Sequence, residues 1–156
     1  MGLATAIACL RHGAKVLGVD ITTEHPSLAS KRNWHFLQAD LTEDATPNYV
    51  VAQTLERFGP RVDVLANVAG VMDNFGSLDS LTDATLQRCF AVNATAPIRL
   101  SRAVIENMRQ HRSGSIVNVA SKAGTSGGAS GVAYTASACL PFFLPMTALD
   151  SQYAYM

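Results

Sequence analysis

Two hydroxyl side chains, Ser121 and Tyr134, stand thirteen positions apart in the second half of this 156-residue chain. Ser121 closes a mostly apolar run, 115–120, and a glycine-rich stretch separates it from the tyrosine. A tyrosine phenol can supply a proton to a reacting oxygen, although its unperturbed pKa of about 10 calls for a nearby positive charge. Taken singly, Tyr134 could be a half-buried aromatic residue and Ser121 a helix-entry serine. Their interpretation therefore depends on the motifs that accompany them.

Two motifs precede this pair. The sequence Asn-Val-Ala-Gly at 67–70 follows an apolar segment, 62–66, and Asn93 lies within a predicted helix. With Ser121 and Tyr134, and in this order, they resemble the short-chain dehydrogenase/reductase family. Its members carry an Asn-Asn-Ala-Gly-like motif, a helix asparagine, a serine and Tyr-x-x-x-Lys.

The resemblance implies hydride transfer between a nicotinamide cofactor, NAD or NADP, and a carbonyl or alcohol substrate. Tyr134 would supply the proton, and Ser121 would donate a hydrogen bond to the substrate oxygen as charge develops there. Asn93 would hold a water that relays the proton. In the family, a lysine four residues after the tyrosine shares its helix face and lowers the pKa of the phenol. That position is Ala138 here, so we expect an oxidoreductase whose activity is impaired.

Residues that follow the predicted strands are candidates for binding the cofactor. Asp20 closes the first strand, eighteen residues after Gly2, and an acid at about this distance accepts the ribose hydroxyls in dinucleotide folds. On its own, Asp20 could equally be a strand-end turn residue. An acid repels a 2′-phosphate, and neither Ile21 nor Thr22 is basic, so the sequence favours NAD over NADP. The resemblance adds further residues at the cofactor, namely Asp40, Leu41, Asn67, Ala69 and Gly70.

Hydrophobic periodicity predicts alternating helices and strands. Apolar residues at helical spacing predict a helix over 2–12. The other predicted elements are a buried strand near 15–20, strands near 34–39, 62–67 and 115–120, a helix from about 47 to 58, and two helical stretches over 82–112 that meet near 93–97. The glycine-rich segment 124–131 lacks dinucleotide spacing and is predicted to be a mobile loop. The alternation favours an α/β fold, a Rossmann-like parallel sheet with helices on both faces.

Both ends of the chain depart from the family pattern. Family members begin with a strand and a glycine-rich phosphate loop, of which only the last glycine remains, as Gly2. Towards the other end, Pro141 and Pro145 cannot continue the tyrosine's helix. We therefore expect an incomplete nucleotide-binding domain over 1–138 and a divergent tail over 139–156. The missing first strand is the central one, so the first and third predicted strands would lack their common neighbour.

Composition narrows the possible classes of function. With 12 basic and 12 acidic residues and no basic block, nothing indicates nucleic-acid binding. No apolar run reaches the roughly 18 residues of a membrane helix, and the N-terminus lacks the basic flank of a signal peptide. Cys9, Cys89 and Cys139 show neither disulfide nor metal-ligand spacing, so we expect reduced, buried cysteines and no metal. A cytoplasmic protein acting on a small molecule is predicted, and full-length family members are expected to be homo-oligomers.

Two other interpretations stay open at this point. The chain could be a non-catalytic relative that binds a nucleotide or a partner, or a fragment with no function of its own. Cofactor binding separates the fragment from the other two, and turnover of a carbonyl substrate separates the enzyme from the non-catalytic relative.

Overall fold

A computed structural model describes residues 1–126 and 129–139, which alternate between helices and strands as the sequence predicts. In chain order they form α1 (Gly2–Arg11), β1 (Val16–Asp20), β2 (Trp34–Gln38), α2 (Thr46–Phe58), β3 (Val64–Asn67), α3 (Asp83–Phe90), a π-helix (Ala91–Thr95), α4 (Ala96–Gln110), β4 (Ser115–Asn118), a 3₁₀ helix (Lys122–Thr125) and α5 (Val132–Cys139). The predicted α/β class, with parallel strands, is confirmed.

Contacts within the chain define two compact units, Met1–Pro60 and Arg61–Met156. Each contains one parallel pair of strands, β1 with β2 and β3 with β4. Within the described ranges, β1 and β3 are not paired with each other, and these are the two strands that the sequence predicts to lack a common neighbour. The tail predicted over 139–156 lies outside the described residues, apart from Cys139.

In Met1–Pro60, the paired strands β1 and β2 are only half-buried. Gly18 is needed in this pair because the indole of Trp34 lies against it, and a Cβ there would overlap the ring. The prediction of a buried first strand is therefore wrong: residues 16–19 are half-buried. One reason is that β1 has a single paired edge in the described part of the chain, and another is that α1 has no buried residue.

In Arg61–Met156, the long helix α4 buries one face. Leu100, Val104 and Met108 recur every four residues on that face, and all three are buried. Met108 also passes close to Gly114, where a Cβ would overlap its side chain. The turn before β4 therefore requires a glycine to let the methionine pack.

Strands β3 and β4 are shorter than the sequence predicts. β3 begins at Val64, two residues late, and before it the N–H of Val62 donates to Asn107 Oδ1 at 2.9 Å. β4 ends at Asn118, two residues early, where the chain turns towards the 3₁₀ helix that Ser121 caps.

Two further expectations need correction. The three cysteines are free, but only Cys89 is buried; Cys9 is exposed on α1, and Cys139 is half-buried. The glycine-rich segment is not wholly a loop, since Lys122–Thr125 forms the 3₁₀ helix. Among the described helices, none combines the length and apolar character needed to cross a membrane.

Candidate active site

Three elements of Arg61–Met156 carry the residues predicted to do chemistry. Asn93 lies on the π-helix and is buried, Ser121 stands just before the 3₁₀ helix, and Tyr134 lies in the first turn of α5. Both Ser121 and Tyr134 are half-buried.

Asn93 ties the loop after β3 to α5. Its Oδ1 accepts from the N–H of Val71 at 2.8 Å, while its Nδ2 donates to the carbonyl of Val71 and to Ser137 Oγ, both at 2.9 Å. Ser137 is fully buried and donates in turn to the carbonyl of Tyr134 at 3.0 Å. Asn93 is thus linked through one hydroxyl to the residue predicted as proton donor. Both hydrogens of the side-chain amide are engaged, so within that side chain Oδ1 is the atom with a lone pair left for the predicted relay water.

The π-helix around Asn93 has a local cause. Pro97 lies near the start of α4, and it has no N–H to donate to the carbonyl of Asn93. The helix widens into the π form over Ala91–Thr95, a distortion often found at functional sites.

Ser121 lies at the start of the 3₁₀ helix, which packs directly against α5. Its Oγ accepts from the N–H of Ala123 at 3.2 Å, so the helix-entry role is real, and its hydroxyl hydrogen is not used in that bond. At Gly124, a Cβ would lie 2.6 Å from the carbonyl oxygen of Ala138. Cys139 Sγ also donates to the carbonyl of Gly124 at 3.0 Å. Ser121 and Tyr134 therefore lie on two elements in close backbone contact.

Ala138, at the position of the family's lysine, is 5% exposed. It lies in the last turn of α5, against the 3₁₀ helix. A methyl group there cannot supply the positive charge that a lysine would bring to the tyrosine's helix face.

Asp73 belongs to this cluster, although no motif in the sequence marks it. It is 5% exposed, and its Oδ2 accepts from the N–H of Tyr134 at 2.9 Å, while its Oδ1 accepts from the N–H of Phe75 at 3.2 Å. Burial alone would raise the pKa of Asp73, but the N–H groups of Tyr134, Phe75 and Gly131 outweigh it, so the pKa lies below its usual value. Burial, together with the charge of Asp73, raises the pKa of the Cys89 thiol.

The motif at 67–70 follows β3 at its carboxyl end, where ligands bind in open α/β sheets. Asn67 is buried and donates from Nδ2 to Asn118 Oδ1 at 2.8 Å, which links the ends of β3 and β4. Ala69 and Gly70 are exposed. A Cβ at Gly70 would lie 3.4 Å from Asn93 Oδ1, so this loop runs close to the π-helix.

In Met1–Pro60, two aspartates stand at the carboxyl ends of the paired strands. Asp20 is exposed, and its Oδ1 accepts from the N–H and the hydroxyl of Thr22, both at 2.9 Å. Asp40 makes the same pair of bonds with Thr42 at 2.8 Å. The backbone N–H of Thr42, followed by its hydroxyl, lowers the pKa of Asp40. Because β1 and β2 are parallel, both carboxylates lie at the same end of the pair, the carboxyl end of the strands.

These residues fit the adenosine part of a dinucleotide. Within the described part of the chain, Oδ2 of Asp20 has no hydrogen-bond partner, so it can accept from ribose hydroxyls. Leu41 is half-buried beside Asp40. Gly2 opens α1, and a Cβ at that residue would meet nothing within 4 Å, so this helix start is open on its outer side.

Comparison with known proteins identifies the family. The family model for short chain dehydrogenases matches residues 1–139 of the chain. A short chain dehydrogenase of Penicillium roqueforti is 56% identical over 137 residues, which cover 88% of this chain and 54% of that protein. Asnovolin H dehydrogenase of Aspergillus novofumigatus is 53% identical over 137 residues, covering 88% of this chain and 53% of that protein.

A solved structure agrees with these relatives. The crystal structure of a short-chain dehydrogenase from Streptomyces avermitilis matches with a TM-score of 0.80 and 32% identity, over 90% of this chain and 52% of that one. The chain spans about half the length of the curated relatives that it matches. With the family model matched along residues 1–139, the chain belongs to the short-chain dehydrogenase family.

Proposed function

We propose that the chain is an NAD(P)-dependent oxidoreductase that transfers hydride between a nicotinamide and a carbonyl or alcohol. The observation that supports this most is the close packing of the 3₁₀ helix on α5, where Gly124 meets the backbone of Ala138. It puts Ser121 and Tyr134 on touching elements of one compact unit. Hydride chemistry needs such a pair, because a proton must reach or leave the oxygen while its charge is stabilised.

Each of the three residues has a proposed role. A bound nicotinamide would supply or accept the hydride. Tyr134 exchanges the proton with the substrate oxygen, and the hydroxyl of Ser121 donates a hydrogen bond to that oxygen as negative charge develops on it. Asn93 fixes α5 through Ser137, and its Oδ1 accepts from a water that relays the proton.

We propose that the cofactor is NAD rather than NADP. The exposed carboxylate of Asp20 can accept from the ribose hydroxyls and repels a 2′-phosphate. The neighbours Ile21 and Thr22 provide no basic group to reverse this preference. The remaining cofactor contacts are assigned to Gly2, Asp40, Leu41, Asn67, Ala69 and Gly70.

Ala138 favours a second candidate, a relative that binds a nucleotide or a partner without turning over a substrate. Without an ammonium four residues after Tyr134, much of the general acid–base assistance, typically worth about 10²–10⁴-fold, is lost. We therefore expect slow turnover from this chain and faster turnover after Ala138→Lys. Because Ala138 is buried, a lysine there is larger than the space that the alanine fills, so the stability of the variant must be measured as well.

The test measures NAD⁺-dependent oxidation of asnovolin H, chosen because one relative is named for it. We expect Ala138→Lys to raise kcat by about 10²-fold, and Tyr134→Phe to abolish turnover in both backgrounds. Tyr49→Phe is the matched control, since Tyr49 is an exposed tyrosine on α2. Binding of NAD⁺ without turnover of any carbonyl or alcohol, even in the lysine variant, would favour the non-catalytic relative.

Cofactor choice has its own test. Calorimetry with NAD⁺ and NADP⁺ should show that Asp20→Ala reduces the preference for NAD⁺. Glu43→Ala removes an exposed acidic side chain from the same unit and should leave the preference unchanged. An unchanged preference in Asp20→Ala would remove Asp20 from the cofactor site.

A further inference from the structure

We infer that Asp73 is a positioning residue for Tyr134, because its carboxylate fixes the first turn of α5 from outside the helix. The inference rests on the proposed function only in taking Tyr134 as the reacting group. The contact joins residues 61 positions apart in the sequence, so it sets the place of Tyr134 relative to the loop after β3.

The carboxylate of Asp73 caps the N-terminus of α5. Tyr134 is the third residue of α5, which begins at Val132, so its N–H is one of the four that have no partner within the helix. Asp73 Oδ2 accepts it at 2.9 Å. A negative charge at a helix N-terminus is also favoured by the helix dipole.

Gly131 shows how closely Asp73 fits against the helix start. A Cβ at Gly131 would lie 2.5 Å from Asp73 Oδ2 and 2.7 Å from its Cγ. The backbone of Gly131 is not in the left-handed region, which in the described residues holds only Gly13 and Gly59 among the glycines. Gly131 is therefore needed for space, and the space is filled by Asp73.

The loop that carries Asp73 is itself held in an unusual shape. Asn74 and Phe75 have φ of 57° and 60°, a region that costs free energy for residues other than glycine. The N–H of Phe75 donates to Asp73 Oδ1 at 3.2 Å, and Ser130 Oγ donates to the same oxygen at 3.4 Å. One buried carboxylate thus joins the bent loop to the start of α5.

A carboxylate suits this position better than an amide of the same shape. Both oxygens of Asp73 face N–H donors, those of Phe75 and Tyr134. In Asp73→Asn one of these donors would face the Nδ2 group, which cannot accept a hydrogen bond. The variant therefore tests the charge and the second acceptor while keeping the size of the side chain.

Amide hydrogen exchange in the full chain tests the contact without any assay of activity. We expect Asp73→Ala to speed exchange of the Tyr134 amide by about 10- to 100-fold, the range for a hydrogen bond to a charged group. Asp73→Asn should show a smaller increase in the same direction. Asp79→Asn is the control, since Asp79 bonds to Ser77 and Ser80 in the same loop. Exchange in β3 and β4 should stay slow if each variant remains folded.

Gly131→Ala completes the exchange experiment. It should speed exchange of the Tyr134 amide, because the new Cβ displaces the carboxylate. Combined with Asp73→Ala, it should add little, since the atoms it collides with are gone. Additive effects, or an unchanged Tyr134 amide in Asp73→Ala, would overturn the inference.

Kinetics distinguish positioning from a purely structural cap. In the fastest background that turns over, either the chain or its Ala138→Lys variant, Asp73→Asn should lower kcat by about 10²-fold and leave KM within a few-fold. Faster exchange with unchanged kcat would overturn the positioning role. Absence of turnover in every background would instead contradict the proposed function and leave Asp73 as a helix cap only.

Discussion

The two compact units differ in how much apolar surface each buries. In the described part of Met1–Pro60, the only large apolar side chain that is buried is Leu28. In the described part of Arg61–Met156, a larger set is buried, which includes Val62, Cys89, Leu100, Val104, Met108 and Ile116. Because burial of each such side chain stabilises the fold by about 1.5–3 kcal/mol, the second unit has a core of its own and the first has little.

This difference matches the roles that we propose for the two units, proton transfer in Arg61–Met156 and binding of the adenosine part of the cofactor in Met1–Pro60. Proton transfer needs groups held in place, and Ser121, Tyr134 and Asp73 stand in the well-packed unit. The aspartates proposed to bind the adenosine part of the cofactor, Asp20 and Asp40, stand on half-buried strands. A ligand that binds the folded unit raises its free energy of unfolding by mass action. A bound cofactor would therefore add stability to the unit that buries less apolar surface.

Truncation of a buried side chain should change the free energy of unfolding most, and it tests the difference between the two units directly. Met108→Ala should lower the free energy of unfolding by about 2–5 kcal/mol, since Met108 is fully buried. Leu10→Ala, at a half-buried position of the mostly exposed helix α1, should cost less than about 1 kcal/mol by the same argument. Urea unfolding followed by circular dichroism measures both, and the fluorescence of Trp34, the single tryptophan, reports on Met1–Pro60 alone.

Equal losses from these two truncations would contradict the contrast between the units. A shift of the Trp34 transition in Met108→Ala as large as that of the circular dichroism transition would show that the units unfold together.

A second, smaller effect is expected from pH. The pKa of Asp73 is lowered in the folded chain, so its charged form contributes stability above the unfolded value of about 3.9. That contribution is lost as pH falls below about 4, through the folded pKa. Between pH 5 and pH 3, the parent chain should therefore lose more stability than Asp73→Asn does.

Asp40 provides the comparison in Met1–Pro60. Its pKa is lowered as well, but only by bonds within its own turn, and the side chain is half-exposed. Asp40→Asn should therefore change the acid dependence less than Asp73→Asn does. A larger change in Asp40→Asn would contradict this prediction, because the carboxylate that contributes more to stability would then lie in Met1–Pro60.

Local patterns in the sequence predicted most of the fold. Strands and helices lie within a few residues of their predicted ends, and the predicted meeting of two helical stretches near 93–97 corresponds to the π-helix between α3 and α4. Contacts between distant residues lie beyond such patterns. The N–H of Val62 donates to Asn107 Oδ1, 45 positions away in the sequence, which no local pattern around Val62 records.

The site shows the same limit. Motif spacing predicts Ser121, Asn93 and Tyr134 as site residues, whereas it does not point to Asp73, since the bond of Asp73 to Tyr134 joins residues 61 positions apart. An aspartate followed by Asn74 is a plain turn signal, and it says nothing about a distant helix. Gly131 lay in a stretch expected to be a mobile loop, although its lack of a side chain makes room for Asp73.

The smallest effect expected here concerns helix caps, which also differ between the units. Thr82 Oγ1 accepts from the N–H of Thr85 at 3.2 Å and caps α3, whereas Ala45, the residue before α2, provides no side-chain cap. Thr82→Ala should cost about 1 kcal/mol of stability, and Thr82→Ser, which keeps the acceptor, much less. Ala45→Asp should recover less than Thr82→Ala loses, because Ala45 has helical φ and ψ of −80° and −22° rather than the extended backbone that a cap requires. Urea unfolding of the three variants measures this, and an equal gain and loss would show that cap geometry does not separate the two helices.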